Sequence, residues 1–186
     1  MSLSELREEA KFCTACPLSQ TRIHAVFGSG NEQADIMFVG EAPGRNEDET
    51  GEPFVGAAGK LLDTLLLASG LERSDVYIAN IIKCRPPKNR DPLPEEENCC
   101  MHFLESQISE INPKIIVCLG RIAAKRLIDP DFQVTKQHGE VFSRNGRMIM
   151  GTFHPAALLR NPANKIPTLK DMEKICEIAK SNNYKI

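Results

Sequence analysis

Residues 34–70 read ADIMFVGEAPGRNEDETGEPFVGAAGKLLDTLLLASG. The stretch opens on an apolar run, 34–40, that ends in Gly40. A short run of this kind is the mark of a strand buried in a sheet. It closes on 57–70, where apolar residues recur at helical spacing up to Gly70, a helix-terminating residue. Between the two lies a loop crowded with glycine and acid. Strand, loop and helix in this order make the first half of a βαβ unit.

The pattern then repeats. DVYIANIIKC (75–84) is β-branched and reads as a strand. PEEENCCMHFLESQISEIN (94–112) begins with Pro, carries Glu in its first turn and continues as a helical stripe. PKIIVCLG (113–120) is a second buried strand, RIAAKRLI (121–128) a short helix, MIMGTFHP (148–155) a strand running into a loop, and IPTLKDMEKICEIAKS (166–181) a closing helix. QVTKQHGEVFSRNGRM (133–148) reads as an irregular hairpin turned at Asn145-Gly146. Strands alternating with helices predict an α/β fold with a mostly parallel sheet and helices on both faces. A chain of 186 residues suits one such domain over 1–186. No apolar run approaches a membrane span, and the polar start MSLSELREEAKF is no signal peptide, so a soluble, cytoplasmic protein without a membrane partner is expected.

Ligands of open α/β sheets sit outside the carboxyl ends of the strands. That rule groups three loops: those after Gly40, after Ile82 and after Phe153. The first has neither phosphate-binding glycine motif, and Glu41, Glu47, Asp48, Glu49 and Glu52 would repel a phosphate. Either it is a solvated surface loop, or its glycines let backbone approach a flat ligand with Phe54 as a platform. Phe54 on burial habit alone is core. The second loop, KCRPPKNRDP (83–92), is basic and stiffened by prolines; it is a solvated loop or a grip on a phosphate backbone. Asn80 just before it is a poor strand residue, hence a bulge, a satisfied core amide, or an amide reading a ligand edge. In the third loop His154 follows a strand and is either structural or placed to hold an oxyanion.

The net charge of −2 excludes a protein that coats nucleic acid by bulk charge, but not a local basic patch. Seven cysteines without a secretory signal point to metal rather than disulfides. Cys13 and Cys16 form a C-x2-C pair; with Cys84 and Cys99 or Cys100 they could meet in one tetrathiolate site, and spacing alone does not separate zinc from iron–sulfur. Cys118 and Cys176 read as core.

In this order, GEAPG with the following ED (40–48), GEPFVGAAGKLLD (51–63), YIANIIKCRPPKNRDP (77–92), Cys100 and HPAALLR (154–160), with Cys13 and Cys16 ahead of them, resemble the family 4 uracil-DNA glycosylases of the iron–sulfur type. The resemblance implies a three-layer α/β/α sandwich with a central four-stranded parallel sheet. It implies a [4Fe–4S] cluster on Cys13, Cys16, Cys84 and Cys100, and no need for a divalent metal. It implies uracil contacts from Gly40, Glu41, Ala42, Phe54, Asn80 and His154, with Phe54 stacking on the base, Asn80 reading its Watson–Crick edge and His154 bonding a carbonyl. The partner is uracil-containing DNA, single- or double-stranded, flipped into a pocket by a monomeric DNA repair enzyme. Lys83, Arg85, Lys88, Arg90 and Arg160 are the expected backbone contacts. Related families place an acid or Asn where this chain has Ala42, so the water-orienting group is expected to be Glu41 first, Glu47 second, with Asn89 assisting. No His-containing insert interrupts Arg85–Glu95, which favours turnover over cross-linking. Competing readings are a zinc-clipped binding module, a glycosylase for other deaminated bases, and a polymerase-associated domain.

Overall fold

The computed structural model describes residues 1–186. Its helices are α1 (Leu3–Phe12), α2 (Arg45–Thr50), α3 (Ala57–Ser69), α4 (Pro94–Ile111), α5 (Arg121–Leu127), α6 (Val134–Gln137), α7 (Pro155–Arg160) and α8 (Lys165–Ser181). Its strands are β1 (Ser29–Gly30), β2 (Ile36–Gly40), β3 (Tyr77–Asn80), β4 (Ile115–Leu119), β5 (Val141–Arg144) and β6 (Arg147–Thr152).

The strands lie in the order β1-β3-β2-β4-β6-β5. The inner four, β3-β2-β4-β6, are parallel, as expected. The sheet nevertheless has six strands rather than four, because each edge gains a short antiparallel strand. β5 is the first arm of the hairpin read from the sequence. Its turn residues Asn145 and Gly146 sit at φ 50° and 76°, as a two-residue hairpin turn requires. β1 is two residues long and approaches β3 so closely that a Cβ on Gly30 would lie 2.2 Å from the Val76 carbonyl oxygen.

Strand residues alternate between two cores because successive side chains point to opposite faces. Met37, Val39, Ala79, Ile116 and Cys118 face α1, α4 and α5. Ile36, Phe38, Ile78, Ile115 and Val117 face α3, α7 and α8. The result is the three-layer sandwich. α3 buries Leu62, Leu65 and Leu66, one helical stripe, and stops where Gly70 turns left-handed at φ 91°. α1, not foreseen from the sequence, is started by a capping box between Ser2 and Glu5. No helix is long and apolar enough to cross a membrane.

Candidate active site and cysteine pocket

All four parallel strands end on one edge, and a cleft of about 450 Å³ opens there. The chain reverses direction across the sheet between β2 and β4, the kind of switch point where such sheets bind ligands. The cleft takes Glu41 and Ala42 after β2, Asn80 from the end of β3, Gly120 and Arg121 after β4, and Phe153 and His154 after β6. The β4 loop is the one that the sequence reading passed over. Arg121 directly follows the run ending in Gly120, so the same strand-end rule would have found it.

The floor of the cleft is Gly40 beside Asn80, its register partner. A Cβ on Gly40 would lie 2.5 Å from Asn80 Oδ1 and 2.6 Å from the Phe54 ring. Glycine there lets the amide and the ring meet over the strand end. Asn80 is 2% exposed, and its Oδ1 has no hydrogen-bond partner. A buried acceptor left unpaired costs about 1–3 kcal/mol, which a ligand donor would recover.

Phe54 is buried, yet it lines the cleft, and it holds φ at 51°, strained for an aromatic residue. Arg73 secures that backbone. Its Nη1 donates to the Phe54 carbonyl at 2.8 Å and to Asp63 at 3.0 Å, and its Nη2 donates to the Pro53 carbonyl. Gly59 is required beneath, since a Cβ there would lie 1.9 Å from the Phe54 oxygen. No local sequence signal marks Arg73, which acts across 19 residues.

The Phe54 and His154 rings are stacked with centroids 5.5 Å apart. His154 Nδ1 accepts the Ala156 N–H at 3.0 Å, so the neutral ring carries its proton on Nε2. Burial, aided by Arg160, pushes the His154 pKa down to about 4, which keeps the ring neutral at physiological pH. Gly120, at φ 92°, brings the β4 loop against this side chain; a Cβ would lie 2.9 Å from His154 Cβ. Glu41 is half-buried in the cleft. Burial first, then the charge of Asp91, raises its pKa to about 7 against the opposing pull of Arg121. Asp91 and Arg121 form an ion pair at the cleft wall.

Three expected roles change. Glu47 is a backbone clamp: its Oε1 accepts from Val55 and Gly56 N–H at 3.0 Å each, and its Oε2 from Gly44 N–H at 3.1 Å. Asp48 works the same way, accepting the Ile23 N–H at 2.8 Å. Two of the loop's acids, Glu47 and Asp48, therefore serve as acceptors for backbone N–H groups. Arg90 is paired to the buried Glu96 through both guanidinium nitrogens at 2.7 and 2.9 Å, so its charge is already neutralised. Lys83 is 1% exposed and cannot reach a phosphate. It follows the β3 end inward, where its Nζ donates to the Asn80 carbonyl at 2.9 Å and to Gln107 at 2.7 Å. Arg85 and Lys88 stand on the basic loop, with the Arg85 Nε donating to the neutral Asn89 amide at 2.7 Å. Arg160 is exposed at the end of α7, and Asn89 and Arg160 both line the cleft.

Behind the β3 end lies a second, much smaller pocket of about 20 Å³. Cys13, Cys16, Cys84, Cys99 and Cys100 all line it, with Arg22, Lys83 and Phe103. No group of three or more histidine, cysteine or acidic side chains converges on a single ion position. The donor set does fit an iron–sulfur group. Arg22 Nη1 donates to Cys84 Sγ at 3.2 Å, and the Lys83 backbone N–H donates to Cys100 Sγ at 3.3 Å. Such N–H···S bonds stabilise and tune cluster thiolates. Burial pushes the Cys100 thiol up to about 11 and raises Cys16 and Cys84, so ligation would have to displace the protons. Cys118 and Cys176 lie apart in the two cores.

The sequence model of the Uracil DNA glycosylase superfamily matches residues 27–178. A type-4 uracil-DNA glycosylase of Thermotoga maritima is 50% identical over 171 residues, covering 90% of this chain and 89% of the relative. One from Archaeoglobus fulgidus is 47% identical over 185 residues, covering 95% and 93%. A type-5 uracil-DNA glycosylase of Pyrobaculum aerophilum is more distant, 32% identical over 146 residues and covering 69% and 64%. With 47% and 50% identity to two type-4 enzymes over nearly its whole length, this chain belongs to the uracil-DNA glycosylase superfamily and to its type-4 branch.

Proposed function

We infer that the protein is a DNA repair hydrolase that takes uracil out of the DNA stack, cleaves its N-glycosidic bond and leaves an abasic site. The observation that carries this reading is the buried, unpartnered Oδ1 of Asn80 in the cleft. The uracil edge presents an N3–H donor to that oxygen and an O4 acceptor to the Asn80 NH2. Cytosine reverses both groups, so the same amide rejects it. Phe54 supplies a stacking surface for the flipped base, worth about 1–3 kcal/mol.

As the C1′–N1 bond breaks, its electron pair goes to the uracil ring. The Nε2–H of neutral His154 donates to the carbonyl oxygen on which that charge grows. The sugar becomes cationic; ionised Glu41 favours it, orients the attacking water and receives its proton as the new C1′–O bond forms. The raised Glu41 pKa supports this role, because a base is most effective near the operating pH. Gly40 and Ala42 give the base its close backbone, and Asn89 assists in placing the water. Arg85, Lys88 and Arg160 contact the phosphates.

Cys13, Cys16, Cys84 and Cys100 would hold a [4Fe–4S] cluster, with Cys100 favoured over Cys99 by its N–H···S bond. When bound, that group supplies structural bracing and no electron to the hydrolysis. It joins the amino-terminal segment to the basic loop. Residues 1–186 are proposed to act as one domain and as a monomer. A cytoplasmic location fits a DNA repair enzyme. The test is release of free uracil from a uracil-containing oligonucleotide without added divalent metal; intact substrate at stoichiometric enzyme would refute the reading.

A further inference from the structure

Lys83 stands between the two pockets and belongs to neither reaction nor ligand set. Its side chain is 1% exposed, and its ammonium bonds to no carboxylate. The ammonium is held by two neutral oxygens, the Asn80 carbonyl at 2.9 Å and Gln107 Oε1 at 2.7 Å, and it lies 5.8 Å from the centre of the Phe27 ring. Gln107 is itself fully buried and fixed: its Nε2 donates to the Phe27 carbonyl at 2.8 Å and to the Tyr77 hydroxyl at 3.2 Å. A buried ammonium without a counter-charge costs several kcal/mol. The thiols of Cys84 and Cys100 are close enough to interact with its charge, and Lys83 lines their pocket. The same residue donates its backbone N–H to Cys100 Sγ.

We propose that Lys83 is a positioning residue that couples the cysteine pocket to uracil recognition. Its backbone is tied to the cluster-binding thiols, its ammonium balances their thiolate charge, and the same ammonium holds the peptide that presents Asn80 to the base. The inference rests on the glycosylase reading and on the cysteines taking an iron–sulfur group. It names a path of two bonds between them: Cys100 Sγ to the Lys83 N–H, and Lys83 Nζ to the Asn80 carbonyl. An amide aimed only through its own strand would tolerate loss of the second bond. An amide held by Lys83 would not.

The test uses iron-loaded full-length protein and the substitution K83M, which keeps length and removes charge and donors. Two quantities are read: the cluster reduction potential by spectroelectrochemistry, and kcat and KM for uracil release. Removing a positive charge beside the thiolates moves the potential to more negative values. Loosening Asn80 lowers kcat by about tenfold or more while KM stays within about twofold. Movement of both quantities is the expected result. If either stays at the wild-type value, the coupling is overturned. Should K83M not fold, Q107L removes one acceptor of the same ammonium and leaves its charge in place; kcat is then expected to fall with KM within about twofold, and an unchanged kcat overturns the coupling. Wild-type protein that releases no uracil would sink the glycosylase reading instead, and is distinguished by that control alone.

Discussion

The base cleft and the cysteine pocket are built back to back on one segment, residues 80–84, and they are built in opposite ways. Asn80 lines the first; Lys83 and Cys84 line the second. The cleft is large, about 450 Å³, and its shape is enforced by backbone: a strained Phe54, glycines at 40, 59 and 120, and carboxylates clamping N–H groups. The cysteine pocket is small, at about 20 Å³, and is lined by thiols, of which burial raises the pKa of Cys16, Cys84 and Cys100. A preorganised site stores its cost in the fold, where strain and an unpaired amide wait for the ligand. A thiol site acquires its charge only on ligation. The first should fail through chemistry when altered, and the second through stability.

The sharpest way to break this contrast is Glu41→Gln. Uracil release is expected to fall by about 10²–10⁴-fold in single-turnover assays while oligonucleotide binding changes little. Equal losses of both would make Glu41 a binding group. Asn80→Asp comes next: uracil release drops by about 10²-fold or more and cytosine becomes a measurable substrate. Unchanged selectivity on paired uracil and cytosine oligonucleotides would remove Asn80 from base reading.

On the other side, Cys100→Ser should lose bound iron and the visible absorption with it, together with thermal stability, whereas Cys99→Ser should retain all three. The reverse would move the ligand by one residue.

A subtler probe is the pH profile of kcat/KM. Ionised Glu41 is the working form, and its pKa is raised to about 7, so the rate should climb with pH through that value. Asp91 raises the Glu41 pKa, so Asp91→Asn should shift the limb to lower pH; Arg121 lowers it, so Arg121→Gln should shift the limb upward. A limb that ignores both changes belongs to another group. His154 adds no limb above about 4. The smallest effect is expected from Lys88→Ala, which should weaken DNA binding alike on all sequences and reduce the slope of log affinity against log salt by about one.

Much of this was legible in advance where local rules decide. The βα order, the turn at Asn145-Gly146, the ends of α3 and the carboxyl-edge location of the site follow from periodicity, glycine and proline. Asn80 and His154 stood out because each is an awkward residue beside a strand end. Lys83 was misjudged for a physical reason: charge in a basic loop predicts solvent, but only packing reveals that this side chain turns inward to Gln107, 24 positions away. Arg73 and Asp91 escaped notice because their partners are remote in sequence.

By itself the sequence determined the four parallel strands, the main helices between them and the residue types that could read a base or bind metal, because these depend on spacing within a few residues. Which acids clamp backbone and which stays free in the cleft was decided only by tertiary structure. So was the fate of each cation, at the rim, in an ion pair or buried beside thiols. Burial and pairing are properties of neighbours that the chain brings together by folding, and no local pattern carries them.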